Sequence, residues 1–169
     1  MVTERDMDAT HLLMQDHRKV EGLFEQYEKA GGDGRKEKLA RQICTELKIH
    51  SMVEEEIFYP ALRGKIEEDA LDEAYVEHDG AKMLINEIEA GGADDDFYDA
   101  KVKVLKEQIE HHVEEEEKIR GNIFQQARAA DVDLEALGRQ MAARKEELIR
   151  LAEAEGLPPA QPATMTTEG

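Results

Sequence analysis

The chain has no tryptophan, one cysteine and four prolines among its 169 residues, and only 5% of it is aromatic. A single cysteine, Cys44, cannot close an intramolecular disulfide, which fits a reducing compartment, and Cys44 reads as a small packed helix residue. Basic residues are also scarce: 22 Lys and Arg against 40 Asp and Glu leave a net charge of −18. That balance argues against nucleic acid and anionic membrane surfaces, both of which need clustered cations. No apolar run reaches the roughly 20 residues of a membrane span, and the opening MVTERDMD lacks a secretory pattern. The expectation is a cytoplasmic protein with neither nucleic-acid nor membrane partners.

Strand-like alternation is missing too, whereas apolar residues recur every three or four positions, so the fold class is all-α. Periodicity predicts helices over about 8–30, 35–59, 66–89, 96–128 and 133–155. The first is striped by Leu13, Val20, Phe24 and Tyr27, and the last by Leu134, Leu137, Met141 and Leu148. GGDG at 31–34 and GGADDD at 91–96 close two hairpins, the second offering acidic N-caps, and Pro60 kinks or loosens the end of the second helix. Residues 1–155 make one domain, with a bundle core at 8–128 and an extra helix at about 133–155. The Pro-rich, polar segment 156–169 is expected to be disordered.

The chain repeats itself at an offset of about 60 residues. His17, a Gly-Gly loop and His50 are matched by His78, a Gly-Gly loop and His112, and each second histidine stands four residues before a glutamate, Glu54 or Glu116. Residues four apart lie about 40° apart on a helix face, so each His–Glu pair can serve one ion. The loops fall midway between the paired histidines, so antiparallel helices bring all four to one level of an up-down-up-down bundle. The register Ile43, Leu47, His50, Glu54, Ile57 is repeated by Leu105, Ile109, His112, Glu116, Ile119, which points the ligand-type residues inward.

Inward glutamates need a cation, because desolvating a carboxylate costs several kcal/mol and no Lys or Arg shares these stripes. Imidazole and carboxylate without thiolate suit iron or manganese, and zinc, which prefers four ligands, less well; iron is the expected metal, with manganese or zinc less so. With both glutamates bridging and an oxo or hydroxo group between the ions, two octahedral ions keep about two open positions. His111 could replace His112 only by a register shift that pairs it with Glu115. His11 lies outside the ligand stripe, Asp16 and Asp79 adjoin ligands but point elsewhere unless they support them from outside, and Glu55, Glu56, Glu114, Glu115 and Glu117 read as a solvated acidic face.

DHRKV around His17, HSMVEEEIFYPAL from His50, EHDGAKMLI around His78 and HVEEEE from His112 together resemble the hemerythrin-like proteins with an HHE cation-binding domain. The resemblance implies a four-helix bundle around a non-haem di-iron centre held by His17, His50, Glu54, His78, His112 and Glu116. LEALGRQMAARKEEL at 134–148 is similar to the extra C-terminal helix of bacterial members with catalase-like activity. Oxygen carriers in this family have a further histidine one turn before the third-helix ligand; this chain has Ala74 there. A site short of one histidine favours reaction with hydrogen peroxide, O2 or nitric oxide over reversible O2 carriage. Tyr59 has no counterpart in the second hairpin and is a candidate neighbour of the site, the plainer reading being packing between helices with its hydroxyl near the surface. Two function classes follow: a redox-active di-iron protein with catalase-like chemistry foremost, and a non-catalytic module that senses or sequesters iron or a gas.

Overall fold

A computed structural model describes residues 7–166. Four long helices build the bundle: α1 (Ala9–Lys29), α2 (Asp33–Val53), α4 (Glu68–Ala90) and α5 (Tyr98–Val113). Short α3 (Tyr59–Leu62) continues α2, α6 (Ile123–Ala129) follows α5, and α7 (Leu134–Ala154) is the additional helix. The described residues contain no strand, and no helix among them is long and apolar enough to cross a membrane. Helix α1 pairs with α2, α4 with α5 and α2 with α4, while α7 packs on α1 and α2.

Local chemistry explains where the helices start. Asp8 accepts from the His11 amide at 3.0 Å, Asn122 from the Gln125 amide at 2.9 Å and Asp133 from the Ala136 amide at 3.0 Å, each satisfying a first-turn donor. The acidic run before α5 acts differently from the capping role its sequence suggests. Asp95 turns back to accept from the Gly92 amide at 2.8 Å, and α5 begins without a side-chain cap.

Both helices that carry a His–Glu pair widen there into a π-turn, over Glu54–Phe58 and Glu114–Lys118. In these turns the Tyr59 and Ile119 amides reach back five residues, to the carbonyls of Glu54 and Glu114. The extra residue rotates everything downstream by about 100° relative to a regular helix. Ile57 is consequently only half-buried and Phe58 and Tyr59 point inward. Pro60 has no N–H to donate, and the Glu55 carbonyl five residues before it instead accepts from the Tyr75 hydroxyl at 3.4 Å. After the second π-turn the chain leaves the helix: Ile119 is extended and 49% exposed, and Gly121 has φ +74°, a left-handed conformation that favours glycine. The continuous helix 96–128 expected from periodicity is therefore broken at 119–122, and Ile119 does not face the core.

Two apolar clusters divide the bundle. One lies toward the Gly-Gly loops and includes Phe24, Ile43, Ile85 and Leu105; the other includes Leu12, Phe58, Phe124 and Met141 and is closed by α7. The histidines lie between them. Of the segment 156–169, expected to be disordered from its composition, the described residues up to 166 are placed along α2 and α4, and 167–169 lie outside the described residues. The Ala160 amide donates to Asn86 at 2.8 Å, and Asp79 accepts from the Ala163, Thr164 and Met165 amides at 2.7–3.0 Å. Backbone donors caught by Asp79, and side-chain donors from Lys48, Lys82 and Asn86 to tail carbonyls, hold it, with Leu157 packed on the core, and composition alone gives no sign of these contacts.

Helix α7 approaches the start of α1 at Gly138, where a Cβ would overlap the Met7 carbonyl oxygen and stand 2.9 Å from the Asp8 carbonyl carbon. Gly138→Ala removes a poor helix former, which by itself favours the helix, yet the contacts it would meet are backbone and cannot swing aside. We expect a net loss of about 1–3 kcal/mol, typical of overpacking, read as a lower denaturation midpoint in urea and a Tm several degrees below wild type.

Candidate metal centre

Six side chains named from the sequence meet in the layer between the clusters: His17 from α1, His50 from α2, His78 from α4, His112 from α5, and Glu54 and Glu116 from the two π-turns. The histidines are 4–7% exposed and both glutamates 0%. The six fall into two buried groups, His17–His50–Glu116 and His78–His112–Glu54. Nε2 of His17 lies 3.2 Å from Nε2 of His50, and Nε2 of His78 lies 3.1 Å from Nε2 of His112. Each carboxylate spans both groups. Glu54 Oε1 is 2.7 Å from His50 Nε2 and 3.4 Å from His78 Nε2, and Glu116 Oε1 is 3.3 Å from Nε2 of both His17 and His112.

The outer ring nitrogens explain why these inner atoms gather. Every Nδ1 faces a carboxylate: His17 meets Glu117 at 3.2 Å, His50 meets Asp16 at 3.1 Å, His78 meets Glu55 at 2.7 Å and His112 meets Glu77 at 2.7 Å. In neutral imidazole, Nδ1–H donation leaves Nε2 as a bare lone pair. Four such lone pairs and two buried carboxylates then converge with no hydrogen of their own to share. Both oxygens of Glu54 and Oε1 of Glu116 lack a hydrogen-bond partner, although Glu54 Oε1 is only 2.7 Å from a nitrogen. Orphaned carboxylate oxygens beside nitrogen lone pairs fit metal ions, whose ligating histidines are commonly oriented by carboxylates in this way. The donor set supports two such sites.

The outer carboxylates were poorly legible. Glu55 and Glu117 belong to the support of the site rather than to a solvated face, Asp16 supports His50 across the hairpin, and Glu77 gave no cue of its own. The repeat held the signal: an acidic residue precedes both His17 and His78, and another follows both Glu54 and Glu116. Asp79 does not touch the ligand set; it binds Lys82 and the tail. His11 is exposed and pairs with Asp8, and His111, 64% exposed on its side chain, stays outside the buried groups.

Tyr59 is fully buried, contrary to the reading that left its hydroxyl near the surface. Its hydroxyl donates to Glu116 Oε2 at 2.7 Å and stands 3.2 Å from His112 Nε2 and 3.4 Å from His78 Nε2. Burial, reinforced by the charges of Glu116 and Glu54, pushes the phenol well above its ordinary range, so it remains a donor. The π-turn put it there, a rotation that a regular helical register does not reveal. Ala74, where oxygen carriers have a histidine, is buried in the same apolar cluster as Tyr59.

Without a metal, protons must neutralise this layer. Burial opposes charging His50, but Glu54 and Asp16 outweigh it and raise the imidazolium to about 10. His112 is likewise raised well above its usual value, against burial, by Glu116 and Glu77. Burial pushes Glu116 up, but His112 and the other neighbours hold it well below the carboxylate range. A cavity of about 30 Å3 adjoins the site, lined by all four histidines and by Val20, Leu47, Ala81 and Ile85 among others. A space of that size holds roughly one or two water-sized molecules.

Residues 8–121 match the model of the hemerythrin HHE cation binding domain. Over 114 residues the chain is 28% identical to a DNA nickase of Nostoc sp., an alignment covering 68% of this chain and 32% of that protein, so the chain spans about a third of that relative's length. The fold is similar to the crystal structure of a hemerythrin HHE cation binding domain-containing protein from Mycobacterium kansasii. That likeness has a TM-score of 0.70 at 23% identity and covers 89% of this chain and 95% of the other.

Two measurements check the site. Metal loading near pH 7 should release on the order of one proton or more per chain, because ions displace protons from histidines whose pKa is raised, and affinity should fall as pH is lowered. A pH-stat titration reads both. Glu77→Ala should weaken metal binding about 10–100-fold by freeing His112 Nδ1, whereas Glu114→Ala, an exposed neighbour, should leave it unchanged. The match over residues 8–121, more than half of the chain, shows that the chain belongs to the hemerythrin HHE cation binding domain family, which the paired buried His/Glu groups fit.

Proposed function

We propose that His17, His50, Glu54, His78, His112 and Glu116 hold two iron ions and that the centre reacts with a small oxidant, hydrogen peroxide foremost, in a catalase-like cycle. The observation that carries this reading is the pair of buried His/Glu groups spanned by two glutamates beside a cavity of about 30 Å3. When bound, such a pair of ions supplies two-electron exchange, which balances the conversion of two peroxide molecules to one O2 and two water molecules.

The protein's own residues prepare that reaction. The carboxylates at Nδ1 fix the ring orientations and keep the Nε2 lone pairs inward. The small volume of the cavity, walled in part by Val20, Leu47, Ala81 and Ile85, favours small molecules. Tyr59 holds a proton on its hydroxyl within the layer, beside Glu116 and the His78–His112 pair, where it can hydrogen-bond a bound oxidant. Nothing in this scheme draws on an external reductant.

Protein from iron-supplemented cells should hold close to two irons per chain and evolve O2 from added peroxide, while metal-free and Glu54→Ala controls do not. Tyr59→Phe should keep its iron yet turn over about 100-fold more slowly. Iron bound without O2 evolution above the controls would replace catalysis with the second reading, a centre that senses or sequesters. One zinc held tightly, with iron unable to displace it, would rule out both.

A further inference from the structure

The four carboxylates outside the histidines are not treated alike. Asp16 Oδ1 accepts from Lys145 Nζ at 2.6 Å, Glu55 Oε1 from Lys82 Nζ at 2.9 Å, and Glu117 Oε1 from the Arg18 guanidinium. Each therefore lies between a site imidazole and a permanent cation. Glu77 departs from the pattern. Its Oε1 accepts from His112 Nδ1, but its Oε2 faces His111 Nε2 at 3.3 Å, and its ion-pair partners among the described residues are histidines only.

Where the other three positions have Lys or Arg, this one adds negative charge. Glu115, one turn after His111 in the π-turn that continues α5, brings Oε1 to 3.0 Å from His111 Nε2. One ligand atom each from Glu77, His111 and Glu115 lies within 4.8 Å of the others, and all three side chains are open to solvent in part. An imidazole nitrogen between two carboxylates, gathered from two packed helical segments, is a chelating set for a borderline divalent ion.

We propose that Glu77, His111 and Glu115 form a third cation site, at the surface, which takes a divalent transition-metal ion and supplies to Glu77 the positive charge that Lys145, Lys82 and Arg18 give its three counterparts. Glu77 then joins the two levels: one oxygen orients His112 within the buried centre and the other ligates the surface ion. The site is separate from the buried one and does not depend on which ion that centre holds.

Iron-loaded full-length protein dialysed against micromolar zinc, with iron and zinc both counted, tests this. Wild type should take up one zinc that His111→Ala and Glu115→Gln both lack, with iron content equal in all three proteins. Zinc uptake that is absent in wild type, or unchanged in both variants, would overturn the proposal. Loss of iron from His111→Ala would overturn it as well, by placing His111 in the buried centre. The zinc difference between wild type and variants reads the surface site whatever the centre contains, and the iron count separately reads the centre.

Discussion

Two carboxylates without solvent exposure, Glu54 and Glu116, impose a charge requirement that the surrounding structure meets in successive layers. Taking such a group out of water costs several kcal/mol, so compensation must be close and correctly oriented. Imidazolium protons, or metal ions in their place, come first, outer carboxylates hold the imidazoles, and Lys145, Lys82 and Arg18 neutralise three of those carboxylates. Sign alternates outward from the centre. Positions that would be a liability alone, such as a lysine 5% exposed in α7, become intelligible as the outermost member of such a chain.

The π-turns reconcile two demands on the same helices. A regular turn aligns His50 with Glu54, as the spacing requires, but would carry residue 59 away from the layer. Widening the turn keeps the first pair and swings Tyr59 back in. Its hydroxyl oxygen then lies 2.7 Å from Oε2 of the second glutamate and donates to it. The second π-turn has no tyrosine to deliver; the chain exits after it, and α6 brings Phe124 parallel to His17, with ring centroids 6.1 Å apart. The repeat is thus symmetric in its donors and asymmetric in what closes over them.

Much of this was legible in the residues themselves. The His-x-x-x-Glu spacing, the repeat and the midway Gly-Gly loops placed the six inward side chains and the bundle that gathers them, because helical geometry converts sequence distance directly into height and angle. What escaped were features set by departures from that geometry. Ile57 and Ile119 were assigned by extending a 3.6-residue period through turns that do not obey it. Glu55 and Glu117 looked solvated because their partners lie on the other hairpin, and Glu77 looked ordinary because its partner is a histidine 35 positions away. The tail was judged on its Pro-rich, polar composition, while Asp79, Lys48, Lys82 and Asn86 hold its backbone.

The family match ends at residue 121, but the physical unit does not. Helix α7 covers Leu12 and Leu13 and sends Lys145 to Asp16, the carboxylate that orients His50. Phe124 and Met141 complete the apolar cluster beneath the histidines. A fragment cut at the edge of the matched region would contain every inward donor and still lack one wall of the chamber and the counter-charge for one of its four rings. In this chain, the stretch that carries the ligands and the stretch that encloses them are different lengths of polypeptide.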